Sequence, residues 1–212
     1  MVFISGVLIS GFSSCDREDD DSLIPSYLNI ESIGLISNPE LQNQQGSLSH
    51  NITDAWVYID NELIGGFELP CTIPILQEGE KEISIRAGVK KNGISSSRIE
   101  YPLYETYTTT AKLVKDSIVE IFPSVMYKDF IEFLWNEDFE NGTTTLIKTN
   151  RSDTTMDVIS DSEIVFEGEY CGKSYLTDER FFLELTTSQA FDLPQGGTRI
   201  FLEMNFKCNY SF

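Results

Sequence analysis

The sequence predicts an all-β protein built from two sandwich-like domains, and three observations carry that expectation. Thr, Ser, Ile, Val, Phe and Tyr recur in short runs broken by Gly, Pro and Asn, the composition of strands between turns. No stretch beyond residue 22 sustains a helical period through three turns. The chain has 212 residues, and the 198 from Cys15 onward suffice for one large sandwich or two small ones, each with its own core.

The amino end has to be set aside before the fold is considered. Val2 to Gly11 is an apolar run followed by Phe12-Ser13-Ser14-Cys15, too short to span a bilayer and shaped like the h-region and small-residue site of a secretory signal. Residues 1–14 are therefore expected to be a signal peptide. The segment resembles the bacterial lipoprotein signal, which implies that Cys15 receives diacylglycerol and becomes the first mature residue. Phe12 stands where such signals usually carry leucine, and the basic n-region is missing. The other reading is a buried first strand with an ordinary core cysteine.

Behind Cys15, Asp16-Arg17-Glu18-Asp19-Asp20-Asp21 cannot bury apolar area, so residues 15–27 are expected to be a solvated tether. Acidic residues in that place resemble the signal that sends lipoproteins of the Bacteroidota to the outer face of the outer membrane. The formal charge of −19 disfavours nucleic acid, whose phosphates need a Lys/Arg surface, and free anionic lipid likewise. Membrane attachment would come from the acyl chains.

The first domain is outlined over residues 28–127. Asn38 to Ser49 is polar and reads as a loop. Asp54 to Asp60 is a strand with large groups on both faces, Asn61-Glu62 a turn, and Leu63-Ile64-Gly65 the return strand. Pro70 and Pro74 bound an edge strand, and Glu78-Gly79-Glu80 is a glycine turn. Ile83, Ile85 and Ala87 follow at strand period and are expected to bury one face against Trp56 or Tyr58. Tyr101, Tyr104 and Tyr107 could form a ligand platform or cover strand ends. Thr108 to Leu113 reads as another strand, and Ile118 to Tyr127 completes the first sheet or crosses to the next domain. The order of strand, turn, prolines and glycine from Trp56 to Ile85 resembles the PEGA-type and immunoglobulin-like modules of surface proteins.

The second domain is outlined over residues 128–212. Trp135-Asn136-Glu137-Asp138-Phe139-Glu140 before Asn141-Gly142 resembles the opening strand of jelly-roll modules of the concanavalin-like or carbohydrate-binding type. Asp153 to Val158, Ser162 to Tyr170, Arg180 to Leu185 and the alternating run Thr198 to Phe206 supply further strands. A full jelly roll needs about eight strands. Five or six can be drawn, so the domain is expected to be incomplete, with an exposed edge or apolar face near the carboxyl end; a shorter sandwich closed by the first domain is the competing account. The resemblance implies glycan binding by exposed rings, which would be Trp135, Tyr170 and Tyr175. Glu137, Asp138 and Glu140 offer hard oxygen donors suited to calcium, although no EF-hand spacing is present.

Catalysis is not expected. The only histidine, His50, lies in the polar loop without a nucleophile-elbow pattern near it, and zinc sites drawing on several imidazoles are excluded. With 34 acidic residues some carboxylate pair is always available, so its existence carries no weight until a cleft holds one. Of the other cysteines, Cys171 and Cys208 could form a disulfide in an oxidising envelope, since both lie in the second domain near strand ends. Burial as free thiols is the open alternative, and no CxxC motif points to redox work. The whole chain thus resembles an uncharacterised envelope lipoprotein of the Bacteroidota. The resemblance implies a non-catalytic surface protein that binds a glycan or protein partner, with a structural accessory subunit of an outer-membrane complex or a carbohydrate-active enzyme as alternatives.

Overall fold

The computed structural model describes residues 24–41 and 44–209. The expected signal peptide, Cys15 and the acidic run Asp16 to Asp21 lie outside the described residues. The fold is all-β, and the chain divides into two compact units, the first ending at Ile131 and the second beginning at Glu132. Among the described residues no helix is long and apolar enough to cross a membrane.

The first unit contains β1 (Ser26–Ile30), β2 (Gly34–Leu35), β3 (Asp54–Ile59), β4 (Glu62–Glu68), β5 (Cys71–Ile75), β6 (Gly79–Lys90), β7 (Arg98–Glu100), β8 (Tyr107–Leu113), β9 (Ile118–Ile121) and β10 (Ser124–Val125). One sheet has the order β5-β1-β9, with β1 antiparallel to β5 and parallel to β9, and β2 pairs in parallel with β10. The other has the order β4-β3-β6-β7, with β8 also pairing β6. The expected start at residue 28 falls inside β1, which begins in the stretch assigned to the tether.

Period-2 burial explains why these strands make a sandwich. Leu28 and Ile30, Ile73 and Ile75, Ala55, Val57 and Ile59, and Ile83, Ile85 and Ala87 are all buried, so each strand turns every second side chain inward. Each large aliphatic side chain removed from water in this way contributes about 1.5–3 kcal/mol. The hairpin between β3 and β4 turns on Asp60 and Asn61, both at positive φ, one residue earlier than the sequence predicts.

The face expected to cover Ile83, Ile85 and Ala87 is the opposite one. Across β3 and β6 the register sets Ala55 against Ala87, Val57 against Ile85 and Ile59 against Ile83, while Trp56 and Tyr58 stand beside Arg86 and Ser84 on the outer face. A strand with bulky groups on both faces does not announce which is inside. The tyrosines also go inward: Tyr101, Tyr104 and Tyr127 are buried, with Tyr104 centred 4.7 Å from Tyr101 and 4.8 Å from Tyr127, so the first two are core rather than a ligand platform. Beside them Asn38 is buried, its amide donating to Tyr127 O at 2.7 Å and Asp129 Oδ1 at 2.8 Å while its own Oδ1 accepts from Glu40 N at 2.9 Å.

The second unit contains β11 (Leu146–Lys148), β12 (Met156–Ile159), β13 (Cys171–Ser174) and β14 (Leu185–Thr187), in the antiparallel pairs β11–β14 and β12–β13. Ser162 to Tyr170, expected as a strand, is a series of turns. Asp161 O accepts from both Ile164 N and Val165 N, and Gly168 has positive φ. Arg180 closes a turn with Thr177, so β14 starts later than predicted. Thr198 to Phe206 is not a strand among the described residues, and its Ile200, Leu202, Met204 and Phe206 are exposed.

Candidate functional site

The second unit gathers the sequence-predicted residues, but into separate local structures. The Trp135 indole is half-buried and its Nε1 donates to Thr145 Oγ1 at 2.9 Å, while Thr145 Oγ1 donates to Glu137 Oε2 at 2.7 Å. Glu137 also accepts from Thr145 N at 2.6 Å, Thr144 Oγ1 at 3.0 Å and Phe139 N at 3.1 Å. Burial alone would raise the Glu137 carboxyl, but these hydrogen bonds, led by those from Thr145, outweigh it and hold the group below the ordinary glutamate range. Glu137 thus tethers the approach to the Asn141-Gly142 turn, with Trp135 attached to it through Thr145.

The other two carboxylates serve turns as well. Asp138 Oδ1 accepts from Glu140 N at 3.0 Å, and Glu140 accepts from Glu169 N at 3.1 and 3.0 Å through its two oxygens. No group of three or more metal-ligating side chains stands within reach of one ion among the described residues. The hydrogen bonds of Glu137, Asp138 and Glu140 run to backbone and hydroxyl donors of separate turns.

The remaining rings are differently disposed. Tyr170 is half-buried over Gly142, where a Cβ would stand 3.5 Å from its ring. Tyr175 is exposed, with Lys173 Nζ 4.8 Å from its ring centre. No disulfide joins Cys171 to Cys208; Cys171 is half-buried in β13 and Cys208 is exposed. Proximity in sequence to strand ends does not bring Cβ atoms to bridging distance.

The first unit carries an organised polar face that the sequence did not announce. On the outer side of the sheet, Trp56 lies across two bare backbones. A Cβ on Gly66 would be 3.1 Å from its Cε2, and one on Gly88 3.0 Å from its Nε1, which is buried without a hydrogen-bond partner. Around the indole, Arg98 Nε is 3.1 Å from buried Asp54 Oδ1, and its Nη2 is 2.6 Å from Glu68, which also pairs with Lys90 at 2.8 Å. Those two cations keep Glu68 ionised below the ordinary range, Lys90 most directly. Further along, Glu100 accepts from Tyr58 Oη and pairs with Arg86 at 3.0 Å, and the Arg86 guanidinium covers the Tyr58 ring at 4.4 Å. The hydrogen bond to Glu100 and burial raise the Tyr58 phenol, against the opposing effect of Arg86. Two glycines on the neighbouring strands were the available signal for a ring lying on the outside.

No family model, curated protein or solved structure matches the chain. Fold and geometry define an all-β protein with a sandwich in its first unit and much exposed apolar surface in its second.

Proposed function

We propose that this chain is a non-catalytic binding protein of a bacterial envelope, anchored to the outer membrane through lipid on Cys15, and that it meets a protein partner through apolar side chains of its second unit. The observation that supports this reading is the exposure of Phe166 at 75%, Phe181 at 74% and Leu202 at 76%, with Ile200, Met204 and Phe206 also exposed beside Leu202 in sequence. Contiguous exposed apolar side chains mark interaction surfaces, and the run from Ile200 to Phe206 carries four exposed ones at alternate positions. The envelope assignment rests on the apolar run ending at Cys15 and the acidic stretch behind it.

Glycan binding is the second reading. It is favoured by the exposed Tyr175 ring and weakened at Trp135, whose indole N–H is occupied by Thr145. A photo-crosslinking residue at Leu202 or Phe181 in the native cell, compared with one at exposed Glu62 on β4, separates the two. Adducts with one envelope protein from the first two positions only are expected. Absence of protein adducts, together with glycan-array binding that Tyr175→Ala abolishes, would replace the protein partner with a sugar. Mass spectrometry of the native amino end tests the anchor, which fails if Cys15 carries no acyl chain.

A further inference from the structure

The sheet edges of the first unit are protected unequally. β5 has Pro74 within it and Pro70 just before it, and β4 carries Glu62 and Glu68 at its ends and an irregular register opposite Val57 and Tyr58. These are devices that discourage a foreign strand. β8 lacks them: from Tyr107 to Ala111 it has no charge and no proline, and among the described residues it pairs only with β6. β9, at the edge of the other sheet, pairs among the described residues only with β1.

Between these two edges the sandwich is not closed. Thr109 and Ala111 share the inward face of β8 with buried Leu113 yet are themselves half-exposed, and Val119 on β9 is half-exposed beside buried Ile121. Together with Tyr107 and Phe122 they line an open groove. Glu120 on β9 lines the same groove and the chain carries a net charge of −19, while Lys112 stands exposed on the outer face of β8.

We propose that this groove takes an extended strand of another protein, hydrogen-bonded to the free edge of β8. Its apolar side chains at alternate positions would turn into the slot, and Lys or Arg would stand on the solvent side. Strand addition derives its affinity from main-chain hydrogen bonds and its selectivity from the alternate side chains. Small Thr109 and Ala111 line the groove with Val119 and leave room for aliphatic groups, and Glu120 together with the net charge of −19 favours basic residues between them. The site lies on the first unit and stands independently of the apolar surface assigned to the second.

The probe is a synthetic peptide of alternating valine and lysine as long as β8, compared with a permuted peptide of the same composition and with alternating valine and glutamate. Amide exchange and NMR shifts are recorded on the full chain. Binding about tenfold tighter than either control is expected, with new protection at Tyr107 to Ala111. Thr109→Lys, an inward charge of the kind that protects edges, is expected to remove it while the shifts of β3 and β4 stay in place. If that variant unfolds, the protection pattern of the unsubstituted chain decides alone. Equal binding of the permuted peptide, or shifts lying outside 107–122, would overturn the proposal. So would self-association that protects 107–111 before any peptide is added, because the occupant would then be a second copy.

Discussion

The Trp56 indole rests on the backbone of Gly88, close enough that a Cβ there would stand 3.0 Å from both Cδ1 and Nε1 and 2.9 Å from the Cβ of Asp54. Asp54 is fully buried, so its Cβ cannot give way into open solvent. Gly88→Ala is expected to destabilise the first unit by about 1–3 kcal/mol, the usual cost of overpacking. Gly66→Ala, whose Cβ would meet only the ring at 3.1 Å, is expected to cost less. Urea unfolding followed by tryptophan fluorescence measures both, and equal stability of Gly88→Ala and the parent chain would remove the trough.

Asn38 offers a sharper test because its amide has two acceptors and its carbonyl one donor. Asn38→Ala leaves Tyr127 O without this donor in a buried setting, which costs about 1–3 kcal/mol. Asn38→Asp is expected to be worse than alanine near neutral pH, since it turns a carboxylate toward the carbonyl of Tyr127 and the carboxylate of Asp129. Thermal melts of the two variants rank them; a more stable aspartate would show that the amide is oriented the other way.

The acid limb of stability depends in part on Glu137. Its carboxyl is held below the ordinary glutamate range, so the stabilisation is present above that range and is lost as pH falls through it toward the lowered value. Glu137→Gln is expected to cost about 1 kcal/mol near neutral pH, a modest figure because the group is half-exposed. It is also expected to flatten the fall in stability on acidification. A variant whose acid unfolding superimposes on that of the parent would place the pH dependence elsewhere.

Cysteine reactivity follows from burial. Cys71 is half-buried in β5 and burial pushes its thiol above the usual range, so the thiolate that does the attacking is scarce at neutral pH. Alkylation at neutral pH, followed by peptide mass mapping, is expected to label Cys71 slowly and to find no peptide linking Cys171 to Cys208. Rapid labelling of Cys71 in the folded chain would contradict its placement.

The sequence by itself determined the all-β class, the strand at Asp54 to Ile59 with its tight return, the proline-bounded edge and the inward face of Ile83, Ile85 and Ala87. These follow from local rules, namely side-chain alternation, turn chemistry and proline's missing donor. Tertiary structure alone decided that Ala55, Val57 and Ile59 face the core while Trp56 lies outside, because both faces of that strand are bulky and only Gly66 and Gly88 on neighbouring strands make room for the indole. It also decided that Trp135 and Glu137 are joined through Thr145, and that Ser162 to Tyr170 turns where its composition reads as strand. Hydrogen-bond partners distant along the chain leave no periodic trace in sequence, whereas a buried face repeats every second residue and does.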